Sequence, residues 1–395
     1  MTTSRFTRTH EPRRADVLAG DGPRARRFRT ARVVGALAGA AMLVAASAGV
    51  AGASHFSRPF LSHLHTVTTV ASTVPTNGDV NPYGIATVPE TVGALVRGDT
   101  LISNFNASSN LQGTGTTIVE ISPSGTQSVF AQLDGPLPGP CPGGVGLTTA
   151  LAVLRDGYVV VGSLPVTNGG TGTPEAGCLI VLDSHGQAVE TWSGPDINGP
   201  WDMTADVGWN TTQLYVTNVL NNTVAAGGAE VSDGTVVRLD VTQWPNHAPR
   251  LRDVKVIGSG FAEQLSAAAV VLGPTGVTLG HDGTLYVADT VNSRIAVIPD
   301  AGFRHRALGG GGFTVTSGGL LESPLGLTTA PNGDVIAVNG GNGNAVEITP
   351  WGHQLVATQI DPAGSAGDLF GLTITPNGRG LLFVDDGDNT LKLFS

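Results

Sequence analysis

One shape in this chain is written more than once. GPTGVTLGHDGTLYVADTVNSRIAVIPDAG, residues 273–302, returns as SPLGLTTAPNGDVIAVNGGNGNAVEITPWG, residues 323–352. Each copy places a glycine after Pro-x (Gly276, Gly326) and follows it with a short apolar strand. A turn comes next, His281-Asp282-Gly283 or Pro331-Asn332-Gly333. Asp-Gly and Asn-Gly supply the positive φ angles of a two-residue hairpin. A second strand, TLYVA or DVIAV, ends in Asp289-x-x-Asn292 or Asn339-x-x-Asn342, and a third, IAVI or AVEI, runs to a Pro-x-Gly turn.

The same grammar recurs four more times. Residues 370–394 form one copy, and residues 199–222 form another with its third strand at GTVVRLDV. Residues 145–163 close with GCLIVLDSHG. Residues 81–88 open a copy that continues in DTLISNFN and GTTIVEISPSG. The marker positions are Gly84, Gly146, Asp202, Gly276, Gly326 and Gly371, spaced by 62, 56, 74, 50 and 45 residues. A four-stranded repeat of roughly 40–50 residues is the signature of a β-propeller, with the excess length in insertions. The last copy stops after its third strand, and HTVTTVAS (65–72) stands alone before the first. If that orphan strand completes the last blade, no sheet edge stays open. The expectation is all-β: a six-bladed β-propeller with an N-terminal strand closing the last blade.

Residues 1–53 stand apart from the repeats. An Arg-rich stretch leads into an apolar, small-residue run that ends in Ala51-Gly52-Ala53. This reads as an export signal peptide cut after Ala53, which leaves 54–395 as a single propeller domain in a secreted or extracytoplasmic setting. Removing it takes nine of the 21 basic residues and three of the 31 acids, leaving 12 and 28, a net charge of −16. Such a surface repels phosphate backbones and argues against nucleic acid as partner. No second membrane-spanning run follows, and the mature chain is expected to be a monomer. The two cysteines, Cys141 and Cys178, read as one disulfide in an exported chain.

The pattern from Gly276 to Ile298 resembles the NHL repeat, and residues 326–348 and 371–394 follow it well. The resemblance spans residues 62–395 and is diffuse in the first three blocks. It implies a six-bladed propeller, used in that family mainly to bind protein or nucleic acid. The wider superfamily is similar to the sugar-lactonase-like and virginiamycin B lyase propellers, which are metal-dependent enzymes.

In a blade, the start of the first strand and the end of the second share one rim. The candidate binding rim is therefore Tyr83, Trp201 and Asp202 from strand starts, with Asn104, Asn218, Asp289, Asn339 and Asp386 from strand ends. Thr275, Leu325 and Phe370 belong to the same rim. Recurrence of N/D-x-x-N in most blades also suits a turn-building role, since a short polar side chain there bonds its own backbone. Asp202 departs from the pattern: five blocks carry glycine where this one has a carboxylate beside Trp201. The lactonase-like resemblance implies carboxylates or Asn just before the marker glycines. Here those positions read Tyr83, Val145, Thr275, Leu325 and Phe370, a poor donor set for a hard cation.

No metal, cofactor or catalytic group is assigned. The histidines, among them His185, His281 and His353 on hairpin turns, form no pair with a carboxylate that suggests a general base. There is no G-x-S-x-G elbow. Arg250, Arg252 and Lys255 read as a solvated loop. Loops at 106–115, 164–177 and 219–233 rise on the candidate rim, where binding usually lives. The sequence thus favours a non-catalytic module binding a protein, peptide or glycan near Trp201 and Asp202. A metal-dependent lyase or lactonase-type enzyme is the alternative, and a structural envelope module a third reading.

Overall fold

Twenty-five strands and three short 3₁₀ turns make up the fold in the computed structural model, which describes residues 58–166, 174–363 and 367–395. The expected export signal, 1–53, and part of the 164–177 loop lie outside the described residues. The chain opens with a 3₁₀ turn, Phe60–His63, and strand β1 (Val67–Ser72). Blade 1 holds β2 (Val80–Thr87), β3 (Thr100–Asn106), β4 (Thr117–Ile121) and β5 (Gln127–Gln132). Blade 2 holds β6 (Leu147–Val153), β7 (Val159–Ser163), β8 (Cys178–Leu182) and β9 (Ala188–Trp192). Blade 3 has five strands: β10 (Gly199–Val207), β11 (Thr211–Val219), β12 (Val231–Thr242), β13 (Arg250–Ser266) and β14 (Val270–Leu272). Blade 4 holds β15 (Pro274–Leu279), β16 (Leu285–Asp289), β17 (Arg294–Ile298) and β18 (Phe313–Ser317). Blade 5 holds β19 (Pro324–Thr329), β20 (Val335–Asn339), β21 (Asn344–Ile348) and β22 (Gln354–Gln359). Blade 6 takes β23 (Leu369–Ile374), β24 (Leu381–Asp385) and β25 (Thr390–Phe394) from the C-terminus.

Each blade is an antiparallel meander, and β1 is the outermost strand of the sixth, pairing Val67 with Phe394 through Ser72 with Thr390. The first strand of every blade touches its counterparts on both sides, so β2, β6, β10, β15, β19 and β23 close a ring. These six strands pair within their sheets on one side only. Their free edges face the axis, which matters for what the axis can bind.

Four of the five marker glycines, Gly84, Gly276, Gly326 and Gly371, are explained by this crowding; Gly146 instead lies before β6 against Gly113 and Pro165, and strand register puts Ala150 in its place in blade 2. A Cβ on Gly276 would lie 2.2 Å from the carbonyl oxygen of Leu325, on Gly326 1.9 Å from that of Phe370, and on Gly371 2.4 Å from that of Tyr83. Only glycine lets neighbouring inner strands approach so closely. Hydroxyls staple blade junctions, among them those of blades 1 and 2 and of blades 3 and 4. Ser103 Oγ accepts from the Gly84 amide (2.9 Å) and donates to the Thr148 carbonyl (2.7 Å). Thr217 Oγ1 accepts from the Asp202 amide (3.0 Å) and donates to the Thr275 carbonyl (2.6 Å).

Three local expectations change. The Asp-Gly and Asn-Gly turns are not two-residue hairpins, because Leu279 pairs with Leu285 and only Gly283 (φ +80°) takes positive φ. Asp282 instead accepts a hydrogen bond from the Thr284 amide, and the Gly283 amide donates to the Gly280 carbonyl. That is a longer turn closed by a left-handed glycine. Arg250, Arg252 and Lys255 lie on β13, not on a loop, and Lys255 pairs with Asp253 at 2.6 Å. Asp385, not Asp386, is the sixth-blade counterpart of Asp289 and Asn339: it pairs with Leu369 as Asp289 pairs with Pro274.

Candidate functional site

One end of the axis is sealed. Tyr83, Trp201, Leu325 and Phe370, from the starts of four inner strands, are buried together in one apolar cluster. The Tyr83 ring stacks on Phe370 with centroids 3.9 Å apart and on Phe105 at 4.5 Å, with Trp201 tilted at 6.3 Å. Burial, and then the charge of Asp386, pushes the Tyr83 hydroxyl well above its ordinary range and keeps it neutral. The β13–β14 hairpin lies over this cluster, contributing Ala269, Val270 and Val271. Val270 sits at φ +62°, a costly conformation for a β-branched residue, and is fully buried. Gln112, from the 106–115 loop, donates to the carbonyls of Ala267 and Ala268 at 2.9 Å each and ties that loop to the hairpin.

The polar members of the sequence-derived rim surround this plug, and most are buried. Asn104 donates to the Thr73 carbonyl (3.0 Å). Asn218 accepts from the Gly199 amide (2.9 Å). Asp289 takes Arg294 at 2.6 Å and the Asn292 amide group. Asn339 donates to the Leu320 carbonyl (2.8 Å) and to Asn342 (3.2 Å). For Asn218, Asp289 and Asn339 these are contacts around their own blade's turns, the turn-building use of the N/D-x-x-N pattern, whereas Asn104 reaches the segment that links β1 to β2. Asp386 is half-buried, and burial, followed by the charges of Asp368 and Asp385, pushes its carboxyl up to about 7. Cys141 and Cys178 are joined in a disulfide, Cα–Cα 5.2 Å.

The other end of the axis is open. A cavity of about 260 Å³ is lined by all six inner strands, with Thr87, Thr149, Thr204, Thr278, Thr328 and Thr373 around it and Asp202 at its inner end. Asp202 lies next to Trp201 in sequence but turns away from the plug into this cavity, as neighbours on a strand point to opposite faces. Its Oδ1 accepts from its neighbour Met203 (2.9 Å), and its Oδ2 from Val277 of the next blade (3.0 Å). The carboxylate thus occupies the place where blades 1, 4, 5 and 6 press Gly84, Gly276, Gly326 and Gly371 against the neighbouring strand. Burial, opposed by those two amides, pushes its carboxyl up to about 8. The hydroxyls of Thr87 and Thr149 are buried without a hydrogen-bond partner among the described residues. Sequence reasoning singled out Asp202 but missed the threonines, because they follow the marker at positions that look like ordinary strand residues.

The metal implied by the lactonase-like resemblance requires several converging oxygen donors. At the sealed end the positions before the marker glycines are rings and aliphatic chains with no carboxylate among them; their side-chain oxygens are the phenol of Tyr83 and the hydroxyl of Thr275, which is engaged with Thr290 and the Leu325 carbonyl, too few and too weak for a hard cation. Among the described residues no group of three or more His, Cys, Asp or Glu side chains converges as metal ligands would. The residues present do not fit that metal.

The NHL repeat family model matches residues 272–298. That stretch covers β15, β16 and β17, three strands of blade 4. No curated protein sequence matches the chain. Among solved structures, a protein assigned as a gluconolactonase is 16% identical with a TM-score of 0.50, covering 86% of this chain and 96% of its own. A luciferin-regenerating enzyme is 11% identical, TM-score 0.50, over 84% of this chain and 95% of its own. A catalytically inactive virginiamycin B lyase from Staphylococcus aureus, solved with quinupristin, is 16% identical, TM-score 0.46, over 84% and 85%. At such identities the first two likenesses speak for the propeller fold alone. No helix among the described residues is long and apolar enough to cross a membrane.

Proposed function

We propose that this chain is an exported, non-catalytic propeller that binds its ligand at the open end of the axis, over Asp202. The observation that carries this reading is the aromatic plug: Tyr83, Trp201, Leu325 and Phe370 fill the end where the lactonase-like resemblance would put a metal and substrate. The open end offers one buried carboxylate, already held by two amides, and a surround of hydroxyls and free strand edges. That is a surface for hydrogen bonding. It has neither a nucleophile with an adjacent base nor a proton relay. The export signal read from residues 1–53 and the net charge of −16 suit an extracytoplasmic role.

The test combines metal analysis with turnover. Mature protein purified without chelators should hold no stoichiometric Ca, Mg or Mn and should hydrolyse no aliphatic, aryl or sugar lactone. One tightly bound ion per chain, with lactone or lyase turnover that a chelator abolishes, would overturn the reading.

A further inference from the structure

The chain has five tryptophans. Trp192 and Trp201 are buried, while Trp209, Trp244 and Trp351 are 70%, 60% and 82% exposed. All three exposed rings sit on turns at one face: β10–β11, β12–β13 and β21–β22. Strand alternation puts these turns at the face where the Asp202 cavity opens. The rings stand on three separate turns.

Trp209 borders a groove. A cavity of about 420 Å³, lined by Pro89, Glu90, Arg155, Asp156 and Val207, runs beside the axis and shares Thr87 with the Asp202 cavity. The Arg155 guanidinium lies 4.2 Å from the Trp209 ring centroid, a cation–π contact that holds the ring in place. The turns around it are tied together. Gln243 donates to the Arg155 carbonyl at 2.6 Å and its amide to the Asn210 carbonyl at 3.0 Å, while the Asn246 amide donates to Asp156 at 3.1 Å.

Taking as its basis the binding-module reading above, we propose that this face holds a neutral glycan chain, one sugar lodged in the Asp202 cavity and the chain running along the groove past Trp209. Sugar hydroxyls both donate and accept, matching the mixed N–H and C=O groups of the six free strand edges. Two threonine hydroxyls in the cavity, Thr87 and Thr149, await such a partner among the described residues. A rigid, partly exposed indole offers the flat apolar surface on which a pyranose face stacks. Glu90 and Asp156 outnumber the ring-bound Arg155, so an anionic chain would be repelled and a neutral one is favoured.

The experiment is calorimetric titration of the full mature chain with short neutral oligosaccharides: β-glucan, chito-, manno- and galacto-oligosaccharides. At least one should bind wild type. Trp209→Ala and Thr149→Val should each weaken it by about tenfold or more, close to 1.4 kcal/mol, while Trp351→Ala on the same face leaves it unchanged. Failure of the whole panel to bind, or binding indifferent to both Trp209→Ala and Thr149→Val, overturns the glycan assignment. A protein ligand competed away by none of the sugars would do the same and leave the binding-module reading in place. Lactone turnover would remove the underlying reading itself.

Discussion

Asp202 carries the most chemistry of any single residue in this chain. Its carboxyl is pushed from an ordinary 3.8 to about 8 in the folded state, chiefly by burial. The folded protein therefore holds this proton more tightly than the unfolded chain. The contribution to stability is complete below about pH 4 and is lost as pH rises through about 8. Glu263, also pushed up to about 8 by burial, acts in the same direction. Melting temperature should fall between pH 4 and 8, and Asp202→Ala should flatten that fall. Equal slopes in variant and wild type would show that Asp202 is not buried as described. Gly326 gives a purely steric prediction. Gly326→Ala sets a methyl 1.9 Å from the Phe370 carbonyl, where backbone cannot yield cheaply, and should cost about 3 kcal/mol in denaturant unfolding. Wild-type stability would mean that the inner strands stand further apart than this. Of the two residues, the sequence announced Gly326 through its recurrence and Asp202 through breaking it. It could not show which way Asp202 points, since that depends on a neighbour, Val277, 75 positions away.

At the scale of elements, the N-terminal strap decides whether the last blade is complete. The amides of Phe60 and Leu61 donate to Glu347 at 2.7 Å each, and Asn332 donates to the same carboxylate at 2.8 Å. Leu61 and Leu64 then bury in the core shared by blades 5 and 6, and β1 covers β25. Glu347→Ala leaves two amides without their charged acceptor and should destabilise by about 3 kcal/mol. A loss below about 0.5 kcal/mol, the level of an ordinary surface change, would show that the strap does not rest on this carboxylate. The orphan strand at 65–72 was legible because the last repeat lacked a strand. The docking turn before it was not, because Phe60–His63 carries no repeat signal and its partner lies 286 residues on. Likewise β13, at 17 residues, far outruns its fourth-strand counterparts β5, β9, β18 and β22, and β14 has no counterpart at all, so the hairpin over the plug was hidden from a reading built on periodicity. In the sixth block, Asp385-Asp386-Gly387-Asp388 offered neighbouring carboxylates of equal appeal, and only strand register separates Asp385 from Asp386.

Across the whole molecule, the ring gives the chain two unlike ends. Tyr83, Trp201, Leu325 and Phe370 come one from each of four blades, so they become neighbours only when the ring closes. The sequence placed all of them on one rim. It could not say that they would meet and fill it. The opposite end keeps its hydroxyls and strand edges, and its turns carry the exposed tryptophans. The account therefore rests on one end being shut and the other open. Thiol labelling tests this directly, because both native cysteines are tied in the disulfide and an introduced one is unique. Thr373→Cys, at the open cavity, should react with a maleimide in the folded protein, whereas Ala269→Cys, on the buried side of the hairpin, should react only as fast as the protein unfolds. Rapid labelling of Ala269→Cys would contradict the sealed end and return the search for a ligand, or a metal, to the rim around Tyr83.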